Sequence, residues 1–136
     1  MTFVHEIRVY FEDTDFTGRV YHGALIRFLE RGRTEALRAA GIDHSALARR
    51  DPPLWFTLRN IAVTFHAAAV IDDVLLVETT PADAEGARAA IVLDQRIVRG
   101  DATIATARVE LCLIDDGGRP RRPPADVRAA LSPTKG

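Results

Sequence analysis

The chain has 136 residues, of which 47% are apolar and 27% are charged, and its formal net charge is −1. This length fits one domain over residues 1–136, and the composition is typical of a globular protein and excludes a disordered one. The near balance of charge excludes a global field that would hold nucleic acid, and the single cysteine, Cys112, excludes an intramolecular disulfide framework and a multi-cysteine zinc site.

The N-terminal residues predict a strand, because apolar and polar side chains alternate over residues 3–11. The inner face of this strand would consist of Phe3, His5, Ile7, Val9 and Phe11. No long apolar stretch follows a basic start, so we expect no signal peptide, and no run approaches the ~18 apolar residues that cross a bilayer. With a single cysteine, the reduced cytoplasm is the expected compartment.

The period becomes helical over residues 22–40, after an acidic loop at residues 12–20. The apolar stripe of this helix consists of Leu25, Phe28, Leu29, Gly32, Ala36 and Ala40. Arg31 and Glu35 have the spacing of an ion pair, and Gly41 is a suitable stop. A shorter helix is predicted over residues 44–49, before two prolines break it.

Four more strands are predicted, over residues 55–67, 74–80, 88–99 and 103–114. Gly100-Asp101 has the composition of a hairpin turn between the last two. The tail over residues 123–131 is expected to add a helical turn and then fray. Because no helices separate the later strands, the order predicts an α+β fold in which an antiparallel sheet curls around one long helix.

Several common catalytic patterns are absent from the sequence. Neither serine, Ser45 or Ser132, lies in a G-x-S-x-G elbow, and the sequence has no P-loop, H-E-x-x-H or G-x-G-x-x-G pattern. The sequence therefore lacks the motifs that usually identify a serine triad, a zincin or a dinucleotide-binding fold.

The densest group of reactive side chains is the acidic loop. Glu12, Asp13 and Asp15 stand within four residues, just before the long helix. One interpretation is a solvated loop that caps the helix, since acidic residues suit helix N-termini. A hard-cation site is a weaker interpretation, because no other oxygen-ligand spacing supports it. The residue types alone leave these interpretations open beside a catalytic one.

The motif Tyr10-Phe11-Glu12-Asp13-Thr14-Asp15-x-x-Gly18-x-Val20-Tyr21-His22 resembles the signature of the 4-hydroxybenzoyl-CoA thioesterase-like family. It is most similar to the Tol–Pal-associated acyl-CoA thioesterases of the YbgC type. Residues 27–35, 71–75 and 124–128 extend the resemblance, which therefore covers most of the chain.

The resemblance implies a hotdog fold, with a five-stranded antiparallel sheet wrapped around one long central helix. It also implies a homodimer with active sites at the subunit interface, and a homotetramer is an open alternative. The implied substrate is an acyl-CoA, or an acyl carrier protein bearing an acyl group. No further cofactor is expected, because coenzyme A is part of the substrate.

In this family the second aspartate of E-D-T-D is catalytic, which implies that role for Asp15, while Asp13 would bond loop amides. Thioester hydrolysis also needs donors for the carbonyl oxygen, and the free N–H groups at a helix start supply them. His22 and Gly23 lie where the long helix should begin. Asp15 would attack the thioester or activate water, and the sequence does not choose between these routes.

Other residues of the motif receive supporting roles. The His22 side chain would orient Asp15 or the thioester, Tyr21 would pack or line the pocket, and Gly18 would permit a backbone turn beside the substrate. The chain departs from the family at Phe11 and Leu25, where tyrosines are common. The second departure should reshape the acyl pocket.

Coenzyme A carries phosphates, which require cations at the mouth of the pocket. Arg88, Arg59 and Arg96 are the candidates.

Two rival functions keep the same fold. One is a hotdog protein that binds acyl-CoA or acyl carrier protein without hydrolysis, or a dehydratase. The other is an interaction protein of the Tol–Pal system. Release of free thiol from acyl-CoA would distinguish hydrolysis from binding alone.

Overall fold

The computed structural model describes residues 1–84 and 90–133. Within these ranges the strands are β1 (Phe3–Arg8), β2 (Trp55–Phe65), β3 (Val74–Ala82), β4 (Ala90–Arg99), β5 (Ala102–Ile114) and β6 (Pro120–Arg121). The α-helices are α1 (His22–Ala39), α2 (His44–Ala48) and α3 (Ala125–Ala130), and one 3₁₀ turn covers Phe11–Asp13. The strands form one antiparallel sheet in the order β1-β3-β4-β5-β2, with β6 pairing β5.

Helix α1 lies against one face of the sheet and buries the predicted apolar stripe, apart from the partly buried Ala40. A close approach to β3 is possible because position 32 is glycine. A Cβ atom at Gly32 would lie 2.4 Å from Val77 Cγ1, well inside normal contact distance. The helix ends as predicted, since Gly41 has a φ of 86° and the Ile42 amide donates to the Leu37 carbonyl.

Strand alternation gives the sheet one core face. The β5 residues Ala105, Ala107, Val109, Leu111 and Leu113 are all buried there, as the sequence pattern predicts. Gly100 forms the turn between β4 and β5 with a φ of 57°. Strand β2 is the last strand on its side of the sheet, so one row of its backbone groups has no partner strand within the described residues.

The α+β class and the antiparallel sheet are confirmed, but three details of the prediction are wrong. Within the described residues the sheet has six strands instead of five, while the two short helices beside α1 agree with those predicted over residues 44–49 and in the tail. The sixth strand forms because Asp115 accepts hydrogen bonds from the amides of Gly117 and Arg119, which turns the chain back along β5.

The other two errors are local. Phe11 is 81% exposed and does not extend the inner face of β1, because the chain leaves the strand at Arg8 and enters the 3₁₀ turn. Glu35 pairs with Arg38 at 2.5 Å, while the Arg31 guanidinium lies over the Phe28 ring.

No helix in the two described ranges has both the length and the apolar composition needed to cross a bilayer.

Candidate active site

Asp15 lies on a tight hairpin that leads into helix α1. Thr14 and Val20 form an antiparallel bridge, and the Asp15 amide donates to the Arg19 carbonyl at 2.9 Å. The turn closes with a 2.9 Å hydrogen bond from the Gly18 amide to the Asp15 carbonyl, and Gly18 has a φ of 79° that favours glycine. The predicted backbone turn at Gly18 is therefore present, and it presents the exposed Asp15 to solvent.

The Asp15 carboxylate is fixed through one oxygen. Its Oδ1 accepts hydrogen bonds from the Thr17 hydroxyl at 2.5 Å and from the Thr17 amide at 2.8 Å. These two bonds lower the pKa of Asp15 below its ordinary value, and the positive charges of Arg19 and His22 act in the same direction. Oδ2 accepts no hydrogen bond from any described residue. The site therefore holds an ionised carboxylate with one oriented oxygen and one available oxygen.

Asp13 sits differently, with only 4% of its surface exposed. Its Oδ2 accepts a hydrogen bond from the Tyr10 amide at 2.8 Å, as expected for an acid that bonds a loop amide. Its carbonyl accepts from the Tyr21 amide, and the Arg27 guanidinium lies 3.8 Å from its Oδ1. Asp13 thus ties the 3₁₀ turn to the start of α1.

Helix α1 begins at His22, with Tyr21 as its N-cap residue and no side-chain cap. The amides of His22 and Gly23 have no hydrogen-bond partner in the part of the chain that the structure describes, as is usual for the first turn of a helix. The Tyr21 ring covers Gly23 so closely that a Cβ there would lie 2.5 Å from the ring, and Arg27 covers the ring at 5.7 Å. Two free amide donors and the helix dipole therefore adjoin the Asp15 hairpin.

A cavity of about 370 Å³ opens beside the helix start and is lined by Arg19, Val20, His22, Leu25, Phe65, His66, Ala67 and Ala68. The His22 ring meets the Phe65 ring edge-on at 6.4 Å. Leu25 is one of the lining residues, and its effect on the acyl pocket stays a prediction. Asp15 is not part of the lining in the single chain.

Segment 66–73 forms one wall of this cavity and is held by an ion pair. Arg99 Nη1 donates to Asp73 Oδ2 at 2.8 Å and to the Ala68 carbonyl at 2.9 Å, while the same Asp73 oxygen accepts from the Val70 amide. The Val20 amide donates to the Ala69 carbonyl, which joins this wall to the Asp15 hairpin. The Val70 amide and Arg99 lower the pKa of Asp73.

The three arginines suggested for coenzyme A have separate surroundings. Arg88 lies outside the described residues. Arg59 is exposed on β2 at the bulge between Leu58 and Asn60. Arg96 pairs with Glu78 at 2.9 Å on the sheet face turned away from α1, beside a cavity of about 550 Å³. Their roles stay predictions.

Sequence reasoning missed four residues of this region. Thr17 could have been found, since an Asp-x-Thr spacing favours a local turn in which the carboxylate accepts from residue i+2. Arg19 also lies inside the motif, although its spacing gave no sign that it lines a cavity. Phe65 and His66 are more than 40 residues away from His22 along the chain, and only the fold brings them together.

Comparison with known proteins gives consistent matches over most of the chain. A model of the thioesterase-like superfamily matches residues 9–131. The acyl-CoA thioesterase YbgC of Haemophilus influenzae is 36% identical over 130 residues, covering 95% of this chain and 93% of that protein. The acyl-CoA thioester hydrolase YbgC of Escherichia coli O6:H1 is 38% identical over 98 residues, or 72% of this chain and 70% of that protein.

A solved structure is also similar to this chain. The structure described as a probable thioesterase from Bartonella henselae superposes with a TM-score of 0.86 at 37% identity. The superposition covers 91% of this chain and all (100%) of that one.

Proposed function

The chain belongs to the thioesterase-like superfamily and has its hotdog-like fold, and from this premise we propose that it is an acyl-CoA thioesterase that uses Asp15. One observation carries the proposal. The ionised Asp15 carboxylate lies on the Thr14–Val20 hairpin, and only Tyr21 separates this hairpin from the free amides of His22 and Gly23 at the start of α1. A thioester held between them would have a nucleophile on one side and donors for its oxygen on the other.

In the proposed reaction the carbonyl oxygen accepts hydrogen bonds from the amides of His22 and Gly23. Asp15 Oδ2 attacks the carbonyl carbon, the carbon–sulfur bond breaks, and the coenzyme A thiolate leaves. Water then cleaves the resulting mixed anhydride to release the acid. In the alternative route Asp15 deprotonates a water molecule that attacks directly. Thr17 serves both routes because it fixes Oδ1.

His22 would act as a substrate-binding group, because its ring lines the cavity and its charge lowers the pKa of Asp15. Arg19 lines the same cavity and provides a cation for a phosphate of coenzyme A or of a carrier-protein arm. We add Arg19 to the phosphate-binding candidates on this ground. A cytoplasmic location stays a prediction.

The proposal includes a homodimer formed through β2. The outer edge of β2 has unpaired backbone groups, and apolar side chains on or near it are exposed, with Leu58 at 46% and Phe65 at 48%. Antiparallel pairing with a second copy would satisfy these groups and cover these side chains. Light scattering after gel filtration would test this, and a monomer at micromolar concentration would contradict it.

The main test compares the wild type with Asp15→Asn. With acyl-CoA substrates and a thiol-reactive dye, we expect the variant to lose thiol release while it keeps its melting temperature. Asp101→Asn is the matched control, since Asp101 is also exposed but lies in the β4–β5 turn. A well-folded Asp15→Asn variant with near-wild-type turnover would refute the proposed role of Asp15.

A further inference from the structure

Arg33 is an unusual residue in α1, since only 7% of its surface is exposed and no carboxylate of a described residue lies within ion-pair distance. Its Nη1 donates to Gln95 Oε1 at 3.0 Å, and Gln95 in turn donates to the Leu29 carbonyl and to the Thr79 hydroxyl. No fully buried side-chain nitrogen in the described ranges lacks a partner. The other two guanidinium nitrogens of Arg33, Nε and Nη2, are therefore not fully buried, and Arg33 lines a cavity.

That space is a cavity of about 280 Å³ between α1 and β2. Its other walls are mixed: Leu37, Phe56, Leu58 and Leu111 are apolar, while Glu30, Thr34, His44 and Thr57 are polar. A ligand that carries both methylene groups and a charged end would contact both kinds of wall. Burial lowers the pKa of Arg33, which reflects the cost of keeping its charge away from water, and the nearby Glu30 acts in the opposite direction.

We propose that this cavity binds the acyl group of a dicarboxylic acyl-CoA, with the Arg33 guanidinium pairing the free carboxylate at the far end of the acyl chain. The planar guanidinium matches a carboxylate in a two-bond arrangement, which also compensates a buried charge. The apolar walls would contact the methylene groups. The inference rests on the proposed function, because it names the substrate class of that thioesterase.

The location of the cavity fits a site shared between two copies. Arg33 is eleven residues beyond His22, which is roughly 16 Å along the helix axis. Antiparallel pairing of two β2 strands about their middle residue, Asn60, places the Phe65 end of one copy beside the Phe56 end of the other. In that arrangement the cavity at His22 of one copy would adjoin the Arg33 cavity of the second, and a short acyl chain would span both.

Glu30 gives the proposal a second consequence. It lines the same cavity, is exposed, and lies beyond ion-pair distance of Arg33. A carboxylate in the cavity would be repelled by Glu30 and attracted by Arg33. Removing the Arg33 charge should therefore lower the preference for a dicarboxylic substrate, and removing the Glu30 charge should raise it.

The test compares dicarboxylic acyl-CoAs, from malonyl to suberyl, with neutral acyl-CoAs of equal carbon number. We expect the best dicarboxylic substrate to exceed its neutral partner in kcat/KM, and Arg33→Met to lower this ratio by roughly 10- to 100-fold, the range for a hydrogen bond to a charged group. Arg33→Lys should lower it less, and Glu30→Gln should raise it. Arg38→Met is the control, because Arg38 is an exposed arginine of the same helix, and it should leave the ratio unchanged.

A ratio that is the same in Arg33→Met and wild type would overturn the proposal. The proposal would also be overturned if Arg33→Met lost activity equally on dicarboxylic and neutral substrates and no longer formed a dimer. Arg33 would then pair with a carboxylate of the second copy. If Arg33→Met fails to fold, Arg33→Lys and Glu30→Gln supply the same comparison.

Failure of the proposed function is recognised separately. In that case the wild type hydrolyses neither substrate class, and calorimetric titration with glutaryl-CoA and valeryl-CoA tests the Arg33 site by binding alone. Tighter binding of glutaryl-CoA that is lost in Arg33→Met would support the site, and equal binding would overturn it.

The shared location has its own test in mixed dimers of Asp15→Asn and Arg33→Met, co-expressed with two tags and purified through both. If the site is shared, one site of each mixed dimer is intact, and activity on the dicarboxylic substrate should reach about half of the wild-type value. Activity no higher than half of the Arg33→Met value would overturn the shared arrangement.

Discussion

Replacing Gly32 with alanine tests whether α1 lies as close to β3 as the structure places it. The new Cβ would lie 2.4 Å from Val77 Cγ1 and 3.1 Å from Val77 Cβ. Val77 is fully buried and β-branched, so its side chain has little freedom to move aside. Overpacking of this kind costs about 1–3 kcal/mol, and the alanine recovers about 1 kcal/mol of helix propensity.

We expect the upper part of that range, because the clash involves a rigid core side chain. The net loss in the free energy of unfolding is then about 2 kcal/mol, which corresponds to roughly 6–10 °C in melting temperature for a domain of this size. Urea denaturation followed by circular dichroism measures the loss. Protein concentration is held constant, because the measured stability of a dimer depends on it.

The double variant Gly32→Ala with Val77→Ala provides the control. Removing the Val77 methyl groups makes room for the new Cβ, so the two substitutions together should destabilise by at least 1 kcal/mol less than the sum of their separate effects. Additive effects, or a Gly32→Ala variant as stable as the wild type, would refute the close approach of α1 to β3.

Three further predictions concern the site. Thr17→Val removes the hydroxyl that lowers the pKa of Asp15, so the acid limb of the kcat/KM profile should move to higher pH, and an unmoved limb would contradict this. Asp13→Ala should lower the melting temperature, since it leaves a loop amide unpaired. A variant that melts normally but has lost turnover would contradict this structural role and make Asp13, not Asp15, the catalytic acid. The Val70 amide and, to a smaller extent, Arg99 lower the folded-state pKa of Asp73, so its contribution to stability should be complete above about pH 5 and lost as pH falls below about 4. The stability difference between wild type and Asp73→Asn should therefore shrink in acid.

The sequence predicted elements whose signals are local. Helix α1 was placed to within one residue of its observed end at Ala39, because the apolar stripe and Gly41 lie on contiguous residues. The hairpin at Gly100 was also predicted, since turn chemistry depends on the residues of the turn itself. Strand β6 was missed because two residues are too short to show a period.

The site was predictable only in part. The motif around Asp15 indicated the acidic hairpin and the helix start that follows it. Helical spacing puts Arg33 on the inner face of α1, but its hydrogen bond to Gln95, 62 residues away, was not predictable. The same holds for Arg99, which reaches Asp73 across 26 residues. Contacts of this kind depend on sheet register, which periodicity alone does not give.

The hydrogen bonds that join segment 66–73 to the hairpin of Asp15 make the two loops one cooperative unit. Opening of either loop breaks the bond from the Val20 amide to the Ala69 carbonyl and exposes both to solvent. The amides of Asp15 and Val20 should therefore exchange with deuterium at similar rates, well before those of β5. Heat would then inactivate the protein through this local opening at temperatures where the sheet is still folded.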